Sequence, residues 1–218
     1  MKAEDRLSFL PGIEELRKLS QSLALLDAIL SPEWEYRFFS FNSKWGDAET
    51  MASMRDGCGN DYFILFNSAG AIIKGFEHES VMSPYASEPK KIWAGVLDSV
   101  PKEFAGFLSE PAFNIADTTF CLWRRYADSC WQIGEIDYPD DENPDGLEDL
   151  LFALDGNPLT YKNFAEEYYE QEIPISSVES VYRHEPLSDE LVKTLNENVS
   201  IGDLREDIEE IGYPMPPK

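Results

Sequence analysis

Apolar residues first fall into register in "GIEELRKLSQSLALLDAIL". Ile13, Leu16, Leu19, Leu23, Leu26 and Leu30 recur there at steps of three and four. That spacing puts them on one stripe and predicts a helix over 12–30. Pro32 in "SPEW" ends it. The period then changes. "EYRFFSFNSKW" carries aromatics near alternate positions and predicts a strand over 35–42. "ETMASMRDG", "DYFILFN" and "AIIKGFEH" predict three more. "DGCGN" and "SAG" join them as turns, with Gly57 and Gly59 free to take positive φ. Short strands joined by tight turns predict an antiparallel meander over 35–78.

"SVMSPYASEPKK" reads as a loop. "KKIWAGVLDSVPKEFAGFL" reads as one helix broken at Pro101, or as two short ones. "TTFCLWRRYADSCWQIGEI" predicts a hairpin with strands around 118–126 and 129–136 and its turn near Ala127–Asp128. From there the pattern is helical, with candidates over 146–154, 160–171, 187–197 and 201–211. Ser188 and Gly202-Asp203 are expected helix starts. The sum is an α+β chain: one antiparallel sheet of about six strands, a leading N-terminal helix, and an acidic, mainly helical C-terminal region. No linker tract interrupts the pattern. A single domain over 1–218 is expected, with a helix-plus-sheet part (1–136) and an acidic helical part (137–218).

Composition adds two constraints. With 43% hydrophobic residues, 13 Phe, 10 Tyr and 5 Trp, the chain can fill a core, which excludes global disorder. The formal charge of −24 is uneven: residues 137–218 hold 22 Asp+Glu against 5 Lys+Arg. Such a surface repels nucleic-acid phosphates and anionic membranes, so neither is an expected partner. It suits a basic protein partner, cations, or simple solubility. Cys58, Cys121 and Cys130 form no CxxC and are too few for a disulfide scaffold, so a reducing compartment is expected. The opening residues lack the apolar run of a signal peptide, and no window approaches a membrane span. Both predict a cytoplasmic protein.

The stretch "DENPDGLEDLLF" brings in candidate chemistry. Asp141, Asn143, Asp145 and Gly146 stand at positions 1, 3, 5 and 6 of a calcium loop, and Asp149 at position 9. Position 12, where the bidentate Glu belongs, is Phe152, and Pro144 sits at position 4. The loop is therefore not an EF-hand. A looser acidic calcium site over Asp141–Asp149 stays open as an alternative. The simpler reading has Asp145 capping the helix that follows, with Glu148 and Asp149 at its positive end.

Catalytic patterns are sparse. His78 and His184 are the two histidines. There is no GxSxG, P-loop, GxGxxG or zinc-ligand spacing, so neither a cofactor nor a metal is expected. Arg55, His78 and Glu79, at predicted strand ends, are the alternative catalytic group of a hydrolase-like enzyme, although His78 and Glu79 should point to opposite faces of a strand. Arg124 and Arg125, beside Trp123 and Tyr126, are expected to pair with the acidic region. In "YKNFAEEYYEQEIP", if helical, Tyr161, Phe164, Tyr168 and Glu172 share a face, and so do Glu166, Tyr169 and Glu170 within about a turn. Tyrosines among carboxylates can anchor a basic partner, the rings giving buried area and the acids steering approach.

"FLPGIEELRKL" leading into the first helix and "FILFNSAGAIIKGF" in the strand run resemble the SUKH superfamily. In that superfamily a leading helix precedes an antiparallel sheet, and some members are bacterial immunity proteins. The two stretches cover under a fifth of the chain. The asparagine-glycine turn expected after the first helix is replaced by "SPEWEYRFF", and no site residue carries over. The resemblance implies an immunity- or antitoxin-like protein that neutralises a basic partner. The expected contact residues are Asp140, Asp141, Glu142, Asp145, Glu148 and Asp149 in the loop, and Glu166, Glu167, Tyr168, Tyr169 and Glu170 in the later helix.

Overall fold

The computed structural model describes residues 6–215. Helix α1 (Ile13–Leu30) buries its predicted stripe. Its last two turns also bury Ala24, Leu25, Ala28 and Ile29, together with the carboxylate of Asp27, so this half is enclosed all round. A helix of that kind has to be covered on every side. It packs against the sheet on one flank and against helices from the C-terminal region on the other.

The sheet has six strands in sequential order, every neighbouring pair antiparallel. They are β1 (Phe39–Gly46), β2 (Glu49–Arg55), β3 (Asp61–Phe66), β4 (Gly70–Phe76), β5 (Phe120–Arg125) and β6 (Gln132–Ile133). Central β4 is buried along its whole length. One sheet face carries Phe39, Phe41, Ile64, Ile73 and Leu122 into the main core with α1. The other carries Met51, Phe63, Leu65, Ile72, Cys121 and Trp123 into a second core. Met82, Val96, Phe104, Phe107 and Phe113, all from the long β4–β5 connection, cover that face.

The expected strand over 35–42 starts later, at Phe39, and Trp34–Tyr36 form a 3-10 turn. The cause is a buried carboxylate. Asp27 Oδ2 accepts the N–H groups of Phe38 (2.9 Å) and Phe39 (2.6 Å), and Arg37 reaches back to the carbonyls of Ser31 and Pro32. These bonds hold residues 31–38 against the end of α1 before pairing begins.

The segment 91–109 is only partly helical. It makes turns, a 3-10 turn at Lys102–Phe104 and the short α2 (Ala105–Ser109). Gly95 has φ 90°, and a Cβ there would lie 2.1 Å from the Glu135 carbonyl oxygen. Close approach of 95 to 134–135 replaces a helical turn. The hairpin after β5 forms, but β6 is two residues long. Arg125 pairs locally with Asp128, and Arg124 donates to the Asp128 and Ser129 carbonyls. The expected bridge from these arginines to the acidic region is thereby replaced by bonds within the hairpin.

The C-terminal region is helical as expected: α3 (Leu147–Leu150), α4 (Pro158–Tyr168), α5 (Ile175–Tyr182), α6 (Asp189–Leu195) and α7 (Arg205–Ile211). Ser188 caps α6 by accepting the Leu191 N–H at 3.1 Å. Helix α7 starts at Arg205 rather than 201, because Ser200 and Asp203 close a turn ahead of it. Helix α5 had no counterpart in the expected set.

Candidate functional site: an acidic loop built around Arg6

The loop ahead of α3 is organised by a single arginine. Arg6 donates Nη1 to Asp145 Oδ2 (2.9 Å) and Nη2 to Asp145 Oδ1 (2.5 Å), a bidentate pair. The same guanidinium reaches Asn143 Oδ1 (3.3 Å) and Glu148 Oε1 (3.4 Å) and lies over the Tyr138 ring at 5.3 Å. The Asp145 side chain is fully buried and that of Arg6 is 11% exposed. Burial opposes the charge on Arg6, but bonding to Asp145 prevails and its pKa rises. Burial, with the Asp145 charge, pushes the Tyr138 hydroxyl up to about 12.

Backbone geometry explains why this sequence makes the loop. Asp145 Oδ1 also accepts the Leu147 N–H at 3.1 Å, the capping role expected of it. Gly146 has φ 75°, and a Cβ there would fall 2.3 Å from Glu77 Cβ. Ser80 Oγ donates to the Pro144 carbonyl (2.6 Å), and Thr119 Oγ1 donates to that of Asp145 (2.7 Å). The loop is thus tied to both ends of the β4–β5 connection.

The three spaced residues of the calcium pattern are therefore engaged from within. Asp145 and Asn143 face Arg6, and Asp141 Oδ1 accepts the Asn143 N–H at 3.1 Å. A guanidinium sits where a cation would. Among the described residues, no group of three or more His, Cys, Asp or Glu is placed to hold a metal ion.

The remaining loop acids face solvent. Asp140, Asp141, Glu142, Glu148 and Asp149 are exposed, and Asp145 alone is buried. Asp141, Glu142 and Glu148 border a cleft of about 530 Å³ whose apolar wall includes Ile133, Ile136, Tyr138 and Pro144. A carboxylate rim over an apolar wall can take a lysine or arginine side chain, stem against the wall and charge at the rim.

The second expected segment divides between core and surface. Tyr161 is fully buried and donates to Asp27 Oδ1 at 2.7 Å. Phe164 packs on Phe38, Phe39 and Phe152. Glu166 accepts the Ile173 N–H (2.8 Å) and pairs with Lys162 (2.5 Å), bonds that hold its carboxyl below the ordinary range. The Tyr169 hydroxyl is buried near Asp27, without a hydrogen bond of ordinary geometry. Glu167, Tyr168 and Glu170 remain exposed. Tyr168 borders a different cavity from the loop cleft, so the two segments do not share one site.

Of the alternative catalytic group, Arg55 borders the cavity at Tyr168, whereas His78 and Glu79 do not. Strand β4 ends at Phe76, which leaves His78 and Glu79 on an exposed turn. They do not diverge as strand neighbours would, and His78 Nε2 lies 3.8 Å from Glu79 Oε1. His78 Nδ1 is 2.7 Å from Asn60 Oδ1. Arg55 stacks over Phe63 and Trp34 and touches Ser53 Oγ at 3.5 Å. Neither His78 nor Glu79 borders the loop cleft or the cavity at Tyr168.

Three charged residues that organise the structure belong to no sequence motif. Arg6 carries no motif and sits 139 positions from Asp145. Asp27 and Lys74 were visible as single charges in apolar runs, "LLDAIL" and "AIIKGF". Lys74 is fully buried and bonds Asp61 at 2.8 Å. Burial lowers its pKa against the pull of Asp61.

No family model, curated protein or solved structure matches this chain.

Proposed function

We propose that this protein is a non-enzymatic binding protein that engages a basic protein through its acidic C-terminal half, in the manner of an immunity or antitoxin protein. The observation that carries the reading is the loop cleft. Its carboxylates Asp141, Glu142 and Glu148 stand at the rim of an apolar-walled cleft of about 530 Å³. Arg6, pinned to Asp145, is the chain's own example of a guanidinium held by this loop. The net charge of −24 adds long-range attraction for a basic surface.

The test is capture from a lysate of the source cell at low salt, followed by a salt step. The control is a chain with Asp140→Asn, Asp141→Asn and Glu142→Gln. Asp145 is left alone because it is buried and paired. One basic protein, retained by the wild type, released by salt and lost from the variant, supports the reading. Equal retention by both chains, or none, counts against it.

A further inference from the structure

Arg55 is a guanidinium without a counter-ion in a chain where carboxylates are in excess. Arg6, Arg17, Arg37, Arg125 and Arg183 each pair with an Asp or Glu. Arg55 is exposed and forms no ion pair among the described residues. The nearby acids are committed elsewhere. Asp61, its register partner across β2 and β3, turns to Lys74 at 2.8 Å. Asp56 accepts the N–H groups of Cys58 (2.7 Å) and Asn60 (3.0 Å) and the Asn60 side-chain amide (2.7 Å). Rings hold the guanidinium instead. It lies over Phe63 at 5.2 Å and over Trp34 at 5.9 Å, and it touches Ser53 Oγ at 3.5 Å. Its other N–H donors are open to a ligand. Arg205 also lacks an ion pair, but no ring contact orders it among the described residues.

The cavity beside Arg55, of about 240 Å³, is bordered by Glu35 and by the rings of Trp34, Tyr36 and Tyr168. Trp34 and Tyr36 are each 60% exposed and Tyr168 is 43% exposed. Tyr168 is held by stacking on Phe164 (5.3 Å, 24° between planes). Arg37, also in the wall, is neutralised by bidentate bonding to Asp207. Glu35 is exposed and makes no ion pair among the described residues. The wall thus offers one free guanidinium, one free carboxylate and three aromatic side chains.

That set selects by charge. A cation alone would face Arg55. An anion alone would face Glu35 and the field of a chain carrying −24. A zwitterion satisfies both fixed charges and has no net charge to be repelled. Its carboxylate suits the open guanidinium, and its ammonium suits Glu35 and the aromatic faces. The volume falls below the roughly 300 Å³ at which drug-sized pockets begin and suits a ligand of single amino-acid size.

We infer that the cavity bordered by Arg55, Glu35, Trp34, Tyr36 and Tyr168 binds a small ammonium–carboxylate zwitterion, a free amino acid or its N-methylated betaine. The site is separate from the loop cleft and goes beyond the protein-binding reading above.

The experiment uses the full chain, nitrogen-15 labelled, and four probes. Glycine betaine and L-valine are the zwitterions. Choline keeps the cation without the carboxylate, and tert-butylacetate keeps the carboxylate with carbon in place of the charged nitrogen. The readout is the Trp34 indole N–H signal, identified by its loss in Trp34→Phe. At least one zwitterion should shift it saturably, with affinity about 5-fold or more above both choline and tert-butylacetate. Which zwitterion binds tells whether the ammonium is methylated. Arg55→Gln should cut that affinity about 5-fold without weakening choline, and Glu35→Gln should cut it about 3-fold without weakening tert-butylacetate. Both side chains are exposed, so the remaining amide signals should stay in place. The loop variant should leave the response unchanged, which keeps failure here separate from failure of the loop reading. A single-charge probe that binds as tightly as the zwitterions, no saturable shift with any probe, or a loss in Arg55→Gln that falls equally on choline would overturn the inference.

Discussion

Asp27 offers the sharpest energetic test of the fold. Its carboxylate is fully buried and accepts from the Phe38 and Phe39 amides and the Tyr161 hydroxyl. Burial raises its pKa from 3.8 to about 6, against the opposing pull of those bonds. The folded state therefore holds a proton in the window between 3.8 and about 6 that the unfolded chain has released. Stability from this group is fully present below that window and is lost as pH rises through it. The shift corresponds to about 3 kcal/mol, with each pKa unit worth about 1.4 kcal/mol. Asp27→Asn mimics the neutral carboxyl and removes the slope. Urea unfolding of both chains at a series of pH values from about 4 to 8 isolates the difference from all other titrations. The Asn variant should gain about 3 kcal/mol on the wild type across that series. Asp27→Ala should instead lose about 3–6 kcal/mol at pH about 4, since it strands two buried amides and a buried hydroxyl. Parallel pH curves for wild type and Asn variant would refute the burial of this group.

Other consequences follow from the buried pairs and the loop. Arg6→Ala should cost about 3–5 kcal/mol by urea unfolding, because it leaves Asp145 charged and buried, and a double-mutant cycle with Asp145→Ala should show strong coupling. Asp61→Ala should destabilise more than Lys74→Met, since the first strands a fully buried ammonium while the second leaves a carboxylate that is 26% exposed. Millimolar calcium should leave the thermal midpoint within about 1 °C of its value in chelator, since a cation that does not bind adds no linkage. A rise of several degrees would show that calcium displaces Arg6.

Much of this fold is legible because local signals agree with one another. The α1 stripe, the four-strand meander and the Ser188 cap each rest on a period or a capping residue acting over a few positions. What escaped depended on distant partners. The delayed start of β1 comes from Asp27, 12 residues back from Phe39. The loss of helix over 91–101 comes from the approach of Gly95 to Glu135. Helix α5 is short, and its buried Val178 and Val181 carry too little periodic signal alone. For the site, the acidic loop was readable as charge. Its division into one buried acid and five exposed ones was not, because Arg6 decides it. The later helix showed its tyrosines, but which of them would enter the core depended on Asp27 and on the Phe38 and Phe39 rings.

The most direct test of the binding account is the affinity of the captured basic protein for two chains. These are the wild type and the Asp140→Asn, Asp141→Asn, Glu142→Gln variant, compared at low and at about 0.5 M salt. At low salt the variant should bind about 10-fold more weakly, mainly through a slower on-rate, and the gap should close in high salt. Equal affinity of the two chains at low salt, or binding by the wild type that is indifferent to salt, would contradict it.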